Sequence, residues 1–326
     1  MLAAHAVGSD PADPLAALRV SDLEPPDVPE GWVSVRVRAA ALNHHDVWSL
    51  RGVGLPADRL PMILGCDAAG VTEDGRQVIV HAVINDPGFT GPDSTHDPSR
   101  SLLSERYPGT LAERVRVPAA NLVDKPAGLS FAEAACLPTA WLTAYRMLFT
   151  QAGVAPGDTV LVQGAGGGVA TAAIMLGSRA GLRVWVTSRD PERGERAVEL
   201  GADRAFATGE RLPERVDAVL ETVGAATWSH SINALRPGGT LVISGTTSGA
   251  EPDRAELTKI FFRPLRIQGS TMGILDELRR LCSMIENTGI RPPIDRVLPL
   301  REARQGFAAM IDGRIFGKIV LEPEAG

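Results

Sequence analysis

The residues with the clearest chemical meaning form a glycine cluster in the middle of the chain, at positions 164–168. The apolar run 160–162 precedes the cluster and predicts a buried strand, and the alanine-rich run 169–176 predicts a helix. A strand, a glycine turn and a helix in this order present backbone N–H groups and a positive helix end to a pyrophosphate. We therefore predict a dinucleotide site contacted by Gly166, Gly167, Gly168 and Val169.

The glycine spacing alone is a weak signal. It departs from the strict G-x-G-x-x-G pattern, because the sixth position counted from Gly164 is Val169, and glycine turns also occur as plain connectors. A second apolar run at 183–188 supports the dinucleotide interpretation, because it completes a βαβ crossover of about thirty residues.

The end of that second strand indicates which dinucleotide binds. An NAD site usually has Asp or Glu there for the ribose 2′-OH, whereas this chain has Ser188 and Arg189, with Arg193 one helical turn further on. A guanidinium binds phosphate through charge-assisted, bidentate hydrogen bonds. We predict NADPH, with the alternative that both arginines are solvated charges. Asp190 is predicted to cap a helix that starts at Pro191.

The elements that would hold these residues alternate between strand and helix. Six apolar runs from residue 159 to residue 270 predict a doubly wound parallel sheet, and residues 1–124 are β-rich, with a long loop at 85–109. Ser130 and Glu133 predict a capping box that opens a helix. We predict an α/β fold in which a nucleotide-binding domain at 125–290 is inserted between 1–124 and 291–326.

Composition excludes several functional classes. The 326 residues are 44% hydrophobic and 22% charged, the net charge is −6, and no basic run is present, which argues against nucleic acid as a partner. The sequence contains no run of eighteen or more apolar residues, so no membrane span is expected, and no signal peptide is evident. The three cysteines show no paired spacing. These features predict a cytoplasmic protein that binds neither membrane nor nucleic acid.

Two groups of residues invite a metal interpretation, His44-His45-Asp46 and Cys66-Asp67. If residues 44–46 are extended, neighbouring side chains point to opposite faces and the two histidines cannot share one ion. A buried cysteine is usually a small apolar filler. We predict no metal site.

Several segments, in order along nearly the whole chain, resemble the medium-chain dehydrogenases/reductases. They are residues 41–48, 61–70, 137–145, 164–169, 235–239 and 316–320. The resemblance implies a GroES-like catalytic domain with an inserted Rossmann domain. It also implies a homodimer that pairs edge to edge near residues 265–269.

The departures from this family concern zinc. The positions of the three catalytic zinc ligands read Asn43, Cys66 and Thr139, and residues 80–115 contain no cysteine for a structural zinc. Asn and Thr side chains are poor zinc ligands. The chain therefore resembles the zinc-independent branch that contains quinone oxidoreductases and enoyl reductases.

That branch implies hydride transfer from NADPH to a quinone or an α,β-unsaturated carbonyl. By resemblance, Asn43 lies beside the nicotinamide, Trp48 shapes the substrate pocket, and either His44 or His45 supplies the proton. Lys318 reaches the cofactor or is a solvated lysine. Further cofactor contacts are expected from Thr139 and, at the carboxyl ends of late strands, from Val223, Ser244, Gly245, Thr246, Gly269, Ser270 and Thr271.

Two other functions remain open at this point. The first is a carbonyl reductase or alcohol dehydrogenase of the same fold. The second is a protein that binds NADPH without catalysing a reaction.

Overall fold

The computed structural model describes residues 1–323, which divide into two compact units. One unit contains Met1–Ala140 and the chain from Gly273 onward, and the other contains Trp141–Met272. The chain therefore leaves the first unit, builds the second and returns, as an inserted domain does.

The first pass through the first unit is rich in short strands. Its strands and helices are β1 (Leu2–Ala6), β2 (Leu18–Asp22), β3 (Trp32–Ala41), α1 (His44–Leu50), β4 (Met62–Ile63), β5 (Asp67–Thr72), β6 (Gln77–Val80), β7 (Val83–Ile84), β8 (Ser101–Leu102), β9 (Arg114–Pro118), β10 (Leu122–Asp124) and α2 (Phe131–Ala135). Ser130 Oγ accepts from the Glu133 N–H at 3.2 Å and Glu133 Oε2 accepts from the Ser130 N–H at 2.7 Å, so the predicted capping box is present.

The inserted unit alternates between strand and helix, except that β14 follows β13 without a helix between them. Its elements are α3 (Leu142–Tyr145), β11 (Thr159–Val162), α4 (Gly168–Arg179), β12 (Arg183–Ser188), α5 (Pro191–Glu199), β13 (Arg204–Ala207), β14 (Val216–Glu221), α6 (Trp228–Ala234), β15 (Leu235–Ile243), α7 (Leu257–Phe262) and β16 (Arg266–Gly269). The chain then returns through α8 (Leu275–Thr288), β17 (Ile294–Pro299), α9 (Ala303–Ile311) and β18 (Lys318–Glu322).

All six strands of the inserted unit form one parallel sheet in the order β13-β12-β11-β14-β15-β16. This is the Rossmann order, and the order reverses between β11 and β14, where ligands bind at the carboxyl ends of the strands. The prediction of a doubly wound α/β domain is confirmed.

The first unit contains a seven-stranded sheet in which β18 pairs antiparallel with β3. Val320 lies opposite Ala41 and Leu321 opposite Ala40. Extending this register by two residues brings Lys318 to Asn43, so the end of the chain reaches the start of α1 through sheet pairing alone.

The unit boundaries differ from the predicted boundaries at 124/125 and 290/291. Helix α2 packs on β3 and β5, which keeps the chain in the first unit up to Ala140. On the return, the buried His81 ring lies with Nε2 2.9 Å from the Gly273 carbonyl oxygen, so the chain rejoins the first unit there. Both boundaries depend on packing between distant segments. Within residues 1–323, no helix combines the length and the apolar character needed to cross a membrane.

Candidate functional site

The glycine turn lies at the carboxyl end of the central strand β11. Gly164 has φ +87°, a left-handed conformation that favours glycine, and Gly167 is the residue before the first turn of α4. A Cβ built on Gly167 meets no atom within 4 Å, so this surface of the turn is open to a bound group. An open turn followed by the N-terminus of a twelve-residue helix fits a pyrophosphate.

The residues predicted to select NADPH lie at the carboxyl end of β12. Ser188 Oγ donates to the Asp190 carbonyl at 2.7 Å, and Asp190 Oδ1 accepts from the Glu192 N–H at 3.0 Å, so Asp190 caps α5 as predicted. Arg189 is exposed, and the Nε of Arg193 lies 3.5 Å from Asp190 Oδ2. Arg189 is thus the first residue after β12 and Arg193 lies near the start of α5, and the contact of either guanidinium with a 2′-phosphate stays a prediction.

The residues predicted for the nicotinamide half share the same edge of the sheet. Val223 follows β14, Ser244, Gly245 and Thr246 follow β15, and Ser270 and Thr271 follow β16, whose last residue is Gly269. The Ser270 Oγ is buried and has no hydrogen-bond partner among the described residues. An orphaned buried hydroxyl costs free energy unless a ligand or water satisfies it, which fits a polar group of a bound cofactor.

The first unit contains a buried polar cluster formed by Asn43, Asp67 and Lys318. The Lys318 Nζ donates to the Leu42 carbonyl at 2.7 Å, to Asn43 Oδ1 at 2.5 Å and to Asp67 Oδ2 at 3.1 Å. Asn43 Nδ2 donates to Asp67 Oδ2 at 2.8 Å. The Lys318 and Asp67 side chains are 3% and 0% exposed. The cluster is a desolvated ion pair bridged by an amide.

Every hydrogen-bond donor of this cluster has an acceptor, whereas Asp67 Oδ1 is buried without a partner among the described residues. An ammonium has three protons, and the three acceptors around Lys318 account for all of them. The alternative of a solvated lysine is therefore wrong. The second proton of Asn43 Nδ2 points to the Ala41 carbonyl at 3.3 Å. A contact from Lys318 or Asn43 to a cofactor stays a prediction, and it requires one of these bonds to be exchanged.

His44 and His45 lie in a helix, α1. The prediction that the two histidines cannot share a metal ion assumed an extended strand, and that assumption was wrong. His44 is exposed, whereas the His45 Nε2 lies 3.7 Å from Glu105 Oε1. Although His44 is exposed as a residue, the protein around its ring partly desolvates the imidazole, and this desolvation, with the positive charges of Lys318 and Arg51, lowers the pKa of His44. Burial lowers the pKa of His45, while Glu105 opposes that shift. Both imidazoles are therefore neutral at pH 7.

Trp48 lies on the same helix, and its half-buried ring packs under the Arg51 guanidinium at 5.1 Å from the ring centroid. Thr139 lies in a π-helical turn, Leu137–Trp141, and its Oγ1 is buried without a partner in the described part of the chain. Turns of this kind occur frequently at functional sites. The orphaned Thr139 hydroxyl supports its predicted role in ligand binding, which no contact in the structure tests.

Asp46 is the fully buried acid of α1. Its Oδ2 accepts from the Asn43 N–H at 2.8 Å, and its Oδ1 has no partner among residues 1–323. Burial, together with the nearby charge of Asp67, raises the pKa of Asp46 to about 7. The carboxyl group is thus half protonated near neutral pH, although its first role is to hold the start of α1.

Replacing Asp46 by Asn should flatten the pH dependence of stability. A folded pKa of about 7 against an ordinary value of 3.8 means that the native state retains a proton which the unfolded chain releases. The contribution of protonated Asp46 to the free energy of unfolding is fully present below pH 3.8. It is lost as the pH rises to and through 7, by up to about 4 kcal/mol. Urea unfolding at pH 5 to 8 should show this decline in the native protein and a smaller one in Asp46→Asn; parallel curves would contradict it.

Comparison with known proteins agrees with this architecture. The model of the alcohol dehydrogenase GroES-like domain matches residues 29–127, and the model of the zinc-binding dehydrogenase family matches residues 168–287. The 2-methylene-furan-3-one reductase of Solanum lycopersicum is 30% identical over 314 residues, covering 93% of this chain and 74% of the relative. The chain belongs to the medium-chain dehydrogenase/reductase superfamily.

Solved structures of the superfamily are similar to this one over nearly their whole length. An NAD-dependent alcohol dehydrogenase superposes with a TM-score of 0.90 at 34% identity, covering 99% of this chain and all of that one. The crotonyl-CoA carboxylase/reductase AntE, solved in complex with NADP, gives a TM-score of 0.90 at 26% identity and covers 99% and 94% of the two chains. The GroES-like domain and the inserted Rossmann domain are therefore confirmed.

Many members of the superfamily bind zinc, and the residues of this chain do not fit that ion. The Cys66 Sγ donates to the Leu103 carbonyl at 3.3 Å, and burial raises the pKa of the thiol well above its usual value, so the thiolate form is disfavoured. Beside Asn43 and Asp67 lies the Lys318 ammonium, a cation already in place. Among the described residues, no three His, Cys, Asp or Glu side chains are arranged to hold a metal.

Two features of the site were not predicted from the sequence. The first is the pairing of Lys318 with Asp67, 251 positions apart. The second is a buried hydrogen-bond network beneath the glycine turn, formed by Gln163, Thr187, Ser231 and Glu221. A polar residue at the end of an otherwise apolar strand, as at Gln163 and Glu221, is the only local signal that points to the network.

Proposed function

We propose that the protein is an NADPH-dependent reductase of α,β-unsaturated carbonyl compounds or quinones that works without a metal ion. The observation that carries this proposal is the Lys318 ammonium, bonded to Asn43 and Asp67 at positions where zinc enzymes of the superfamily have a metal ligand and its neighbouring acid. The names of two relatives, a 2-methylene-furan-3-one reductase and a crotonyl-CoA carboxylase/reductase in complex with NADP, support the substrate class and the cofactor.

The residues of the chain divide the work of such a reaction. Bound NADPH would supply a hydride to the β-carbon or the quinone ring. The open glycine turn and the N-terminus of α4 would hold the pyrophosphate, and Arg189 and Arg193 would hold the 2′-phosphate. The Ser270 hydroxyl, buried without a partner among the described residues, would donate to a polar group of the cofactor. An enolate would spread its charge over the conjugated system and accept its proton from water, so its formation needs no Lewis acid. The His44 imidazole, neutral at pH 7, has no acidic proton to supply.

Parallel assays decide among the candidate functions. NADPH oxidation should be followed with an acyclic enone, 1,4-benzoquinone and a simple aldehyde. We expect turnover with the enone or the quinone. Turnover with the aldehyde alone would favour an ordinary carbonyl reductase, and tight NADPH binding without turnover would favour a non-catalytic protein; either result would overturn the proposal.

Removal of divalent metals should leave the activity unchanged, within about 10% of the untreated rate. The cation beside Asn43 and Asp67 is the Lys318 ammonium, which is covalently part of the chain and cannot be removed by a chelator. The measurement compares NADPH oxidation before and after dialysis against a chelator, with the zinc content of both samples determined by mass spectrometry. A zinc-dependent alcohol dehydrogenase treated in the same way provides the positive control. Loss of activity that added zinc restores would contradict the proposal.

We also propose that the protein is a homodimer joined at the edge of the Rossmann sheet. Strand β16 is an edge strand whose four residues are exposed, and next to it α7 exposes Leu257, Phe261 and Phe262 by 68%, 65% and 73%. A strand with one unpaired edge, beside large exposed apolar side chains, is typical of an interface. A second copy would pair with β16 and cover these rings.

Phe262→Glu should convert the dimer to a monomer, because a buried carboxylate without a partner opposes association. Light scattering coupled to size-exclusion chromatography measures the mass directly. Val297→Glu, which changes an exposed apolar residue of the other unit, is the matched control and should remain dimeric. A monomeric native protein at micromolar concentration would overturn the dimer proposal.

The proposed location is a reducing cytoplasm. Cys66, Cys136 and Cys282 are all buried and free, and burial raises the pKa of each thiol. Such cysteines are compatible with a reducing compartment and provide no disulfide.

A further inference from the structure

Glu221 is a completely buried carboxylate at the carboxyl end of β14. Its Oε1 accepts from the N–H groups of Val223 at 2.8 Å and Gly224 at 3.0 Å. Its Oε2 accepts from the hydroxyls of Thr227 at 2.8 Å and Ser231 at 2.6 Å. No Lys or Arg within the described residues forms an ion pair with it. A buried carboxylate without a cation is tolerated only when donors surround it, and here four donors do.

A chain of hydrogen bonds connects this carboxylate to the glycine turn. Ser231 Oγ accepts from Gln163 Nε2 at 2.9 Å, and Gln163 Oε1 accepts from the Thr187 hydroxyl at 2.7 Å. The Thr187 Oγ1 in turn accepts from the Gly164 N–H at 3.2 Å. Gln163, Thr187 and Ser231 are each at most 1% exposed, so water does not compete for these bonds.

The two ends of this series of hydrogen bonds determine which group donates and which accepts in each bond. The Gly164 N–H can only donate, and an ionised Glu221 can only accept, so Thr187, Gln163 and Ser231 each accept on one side and donate on the other. The second proton of Gln163 Nε2 goes to His230 Nδ1 at 2.9 Å, because His230 Nε2 lies 2.8 Å from the Glu210 carbonyl, which accepts. Bonds aligned in one direction polarise and strengthen one another.

This series of hydrogen bonds joins three of the segments that form the ligand edge of the sheet, those after β11, β12 and β14. Gly164 begins the glycine turn after β11, and Thr187 directly precedes Ser188 at the end of β12. Val223 and Gly224 belong to the loop after β14. The first and third segments also touch directly, since a Cβ on Gly164 would lie 3.8 Å from Val223 Cγ2. One buried anion thus holds segments whose predicted partners are the pyrophosphate, the 2′-phosphate and the nicotinamide half.

We propose that Glu221 is a positioning residue for the cofactor, and that Ser231, Gln163 and Thr187 transmit its effect to the glycine turn. The network arranges all three segments before the cofactor arrives, which reduces the ordering cost of binding. Glu221 itself lies below the surface of the edge and touches no ligand. This inference rests on the proposed NADPH function, although the arrangement of the segments is a property of the free protein.

Two isosteric or near-isosteric substitutions interrupt the chain at separate links. Ser231→Ala removes the hydroxyl that links Gln163 to Glu221, and Thr187→Val removes the hydroxyl that links Gln163 to Gly164. Thr159→Val is the matched control, because the buried Thr159 hydroxyl also accepts one hydrogen bond, from Arg183 Nε at 2.8 Å. Thr159 is the first residue of β11, whereas Gln163 follows the last residue of that strand. If one variant does not fold, the other still tests the proposal.

The first measurement is amide hydrogen exchange without cofactor. In Thr187→Val, exchange should become faster not only at Gly164 but also at Val223 and Gly224, which Thr187 does not bond. In Thr159→Val, these three amides should keep their native rates. Faster exchange confined to Gly164 in Thr187→Val would overturn the proposal, because the loop after β14 would then be held independently.

The second measurement is NADPH affinity by fluorescence titration. Each interrupting variant should bind NADPH about tenfold more weakly, the effect of losing a buried hydrogen bond at the site, while kcat at saturating NADPH stays within about twofold. Variants with lowered Tm but native affinity would show a merely structural role and overturn the inference. Failure of the native protein to bind NADPH would instead overturn the proposed function, and hydrogen exchange would still decide the coupling.

Discussion

Lys318→Met should destabilise the protein by about 3–5 kcal/mol and abolish most of its activity, because it leaves the Asp67 carboxylate buried without its cation. Methionine has a similar length and no charge, so the lost interactions are those of the ammonium. Asn43 would also lose the bond that fixes its Oδ1. Urea unfolding measures the loss of stability, and NADPH oxidation measures the loss of activity in the fraction that remains folded.

A double variant separates the ion pair from general damage to the core. Lys318→Met combined with Asp67→Asn removes both charges and keeps both shapes, so we expect at least half of the lost stability to return. The double-mutant cycle then gives the coupling between the two residues. Additive losses in the double variant would show that the ammonium and the carboxylate do not depend on each other, contrary to the geometry of the cluster.

Arg189→Ala should lower kcat/KM for NADPH by about 10- to 100-fold, the range expected for a lost charge-assisted hydrogen bond to phosphate. The value for NADH should change by less than about twofold, because NADH has no 2′-phosphate for the guanidinium to bind. Initial rates measured with both cofactors at one fixed substrate concentration give the ratio directly.

Arg196→Ala provides the control for Arg189→Ala. Arg196 lies on α5, is exposed, and is in the last turn of the helix, away from the end of β12. The two variants change the net charge equally, so a long-range electrostatic effect would lower NADPH use in both. Equal effects of Arg189→Ala on NADPH and NADH would refute the assignment of Arg189 to the 2′-phosphate.

The Rossmann unit could be predicted because its signals are local. Strands of a parallel sheet are covered on both faces and form short apolar runs, and the runs beginning near Thr159, Arg183 and Val216 all became strands. The cap of α5 at Asp190 and the capping box at Ser130 depend on side chains within three residues of each other. Such features require no knowledge of the rest of the chain.

The errors arose where distant segments decide the structure. Helix α1 has only seven residues and begins with three polar ones, so the apolar period that identifies a helix is hidden, although Asn43 and Asp46 have cap spacing. The unit boundaries depend on how α2 packs and on the bond between His81 and Gly273. The partner of Lys318 follows from the register between β18 and β3, which no short pattern encodes.

The three protein acceptors around the Lys318 ammonium have a consequence for which substrates the enzyme can activate. To oxidise an alcohol, an enzyme must first weaken its O–H bond, and zinc does this by lowering the pKa of bound water from about 15.7 to about 7. Every proton of Lys318 already has a protein acceptor, so an alcohol would find no vacant position on this cation. On the proposed function, we therefore expect the enzyme to reduce activated double bonds and to leave simple alcohols unoxidised.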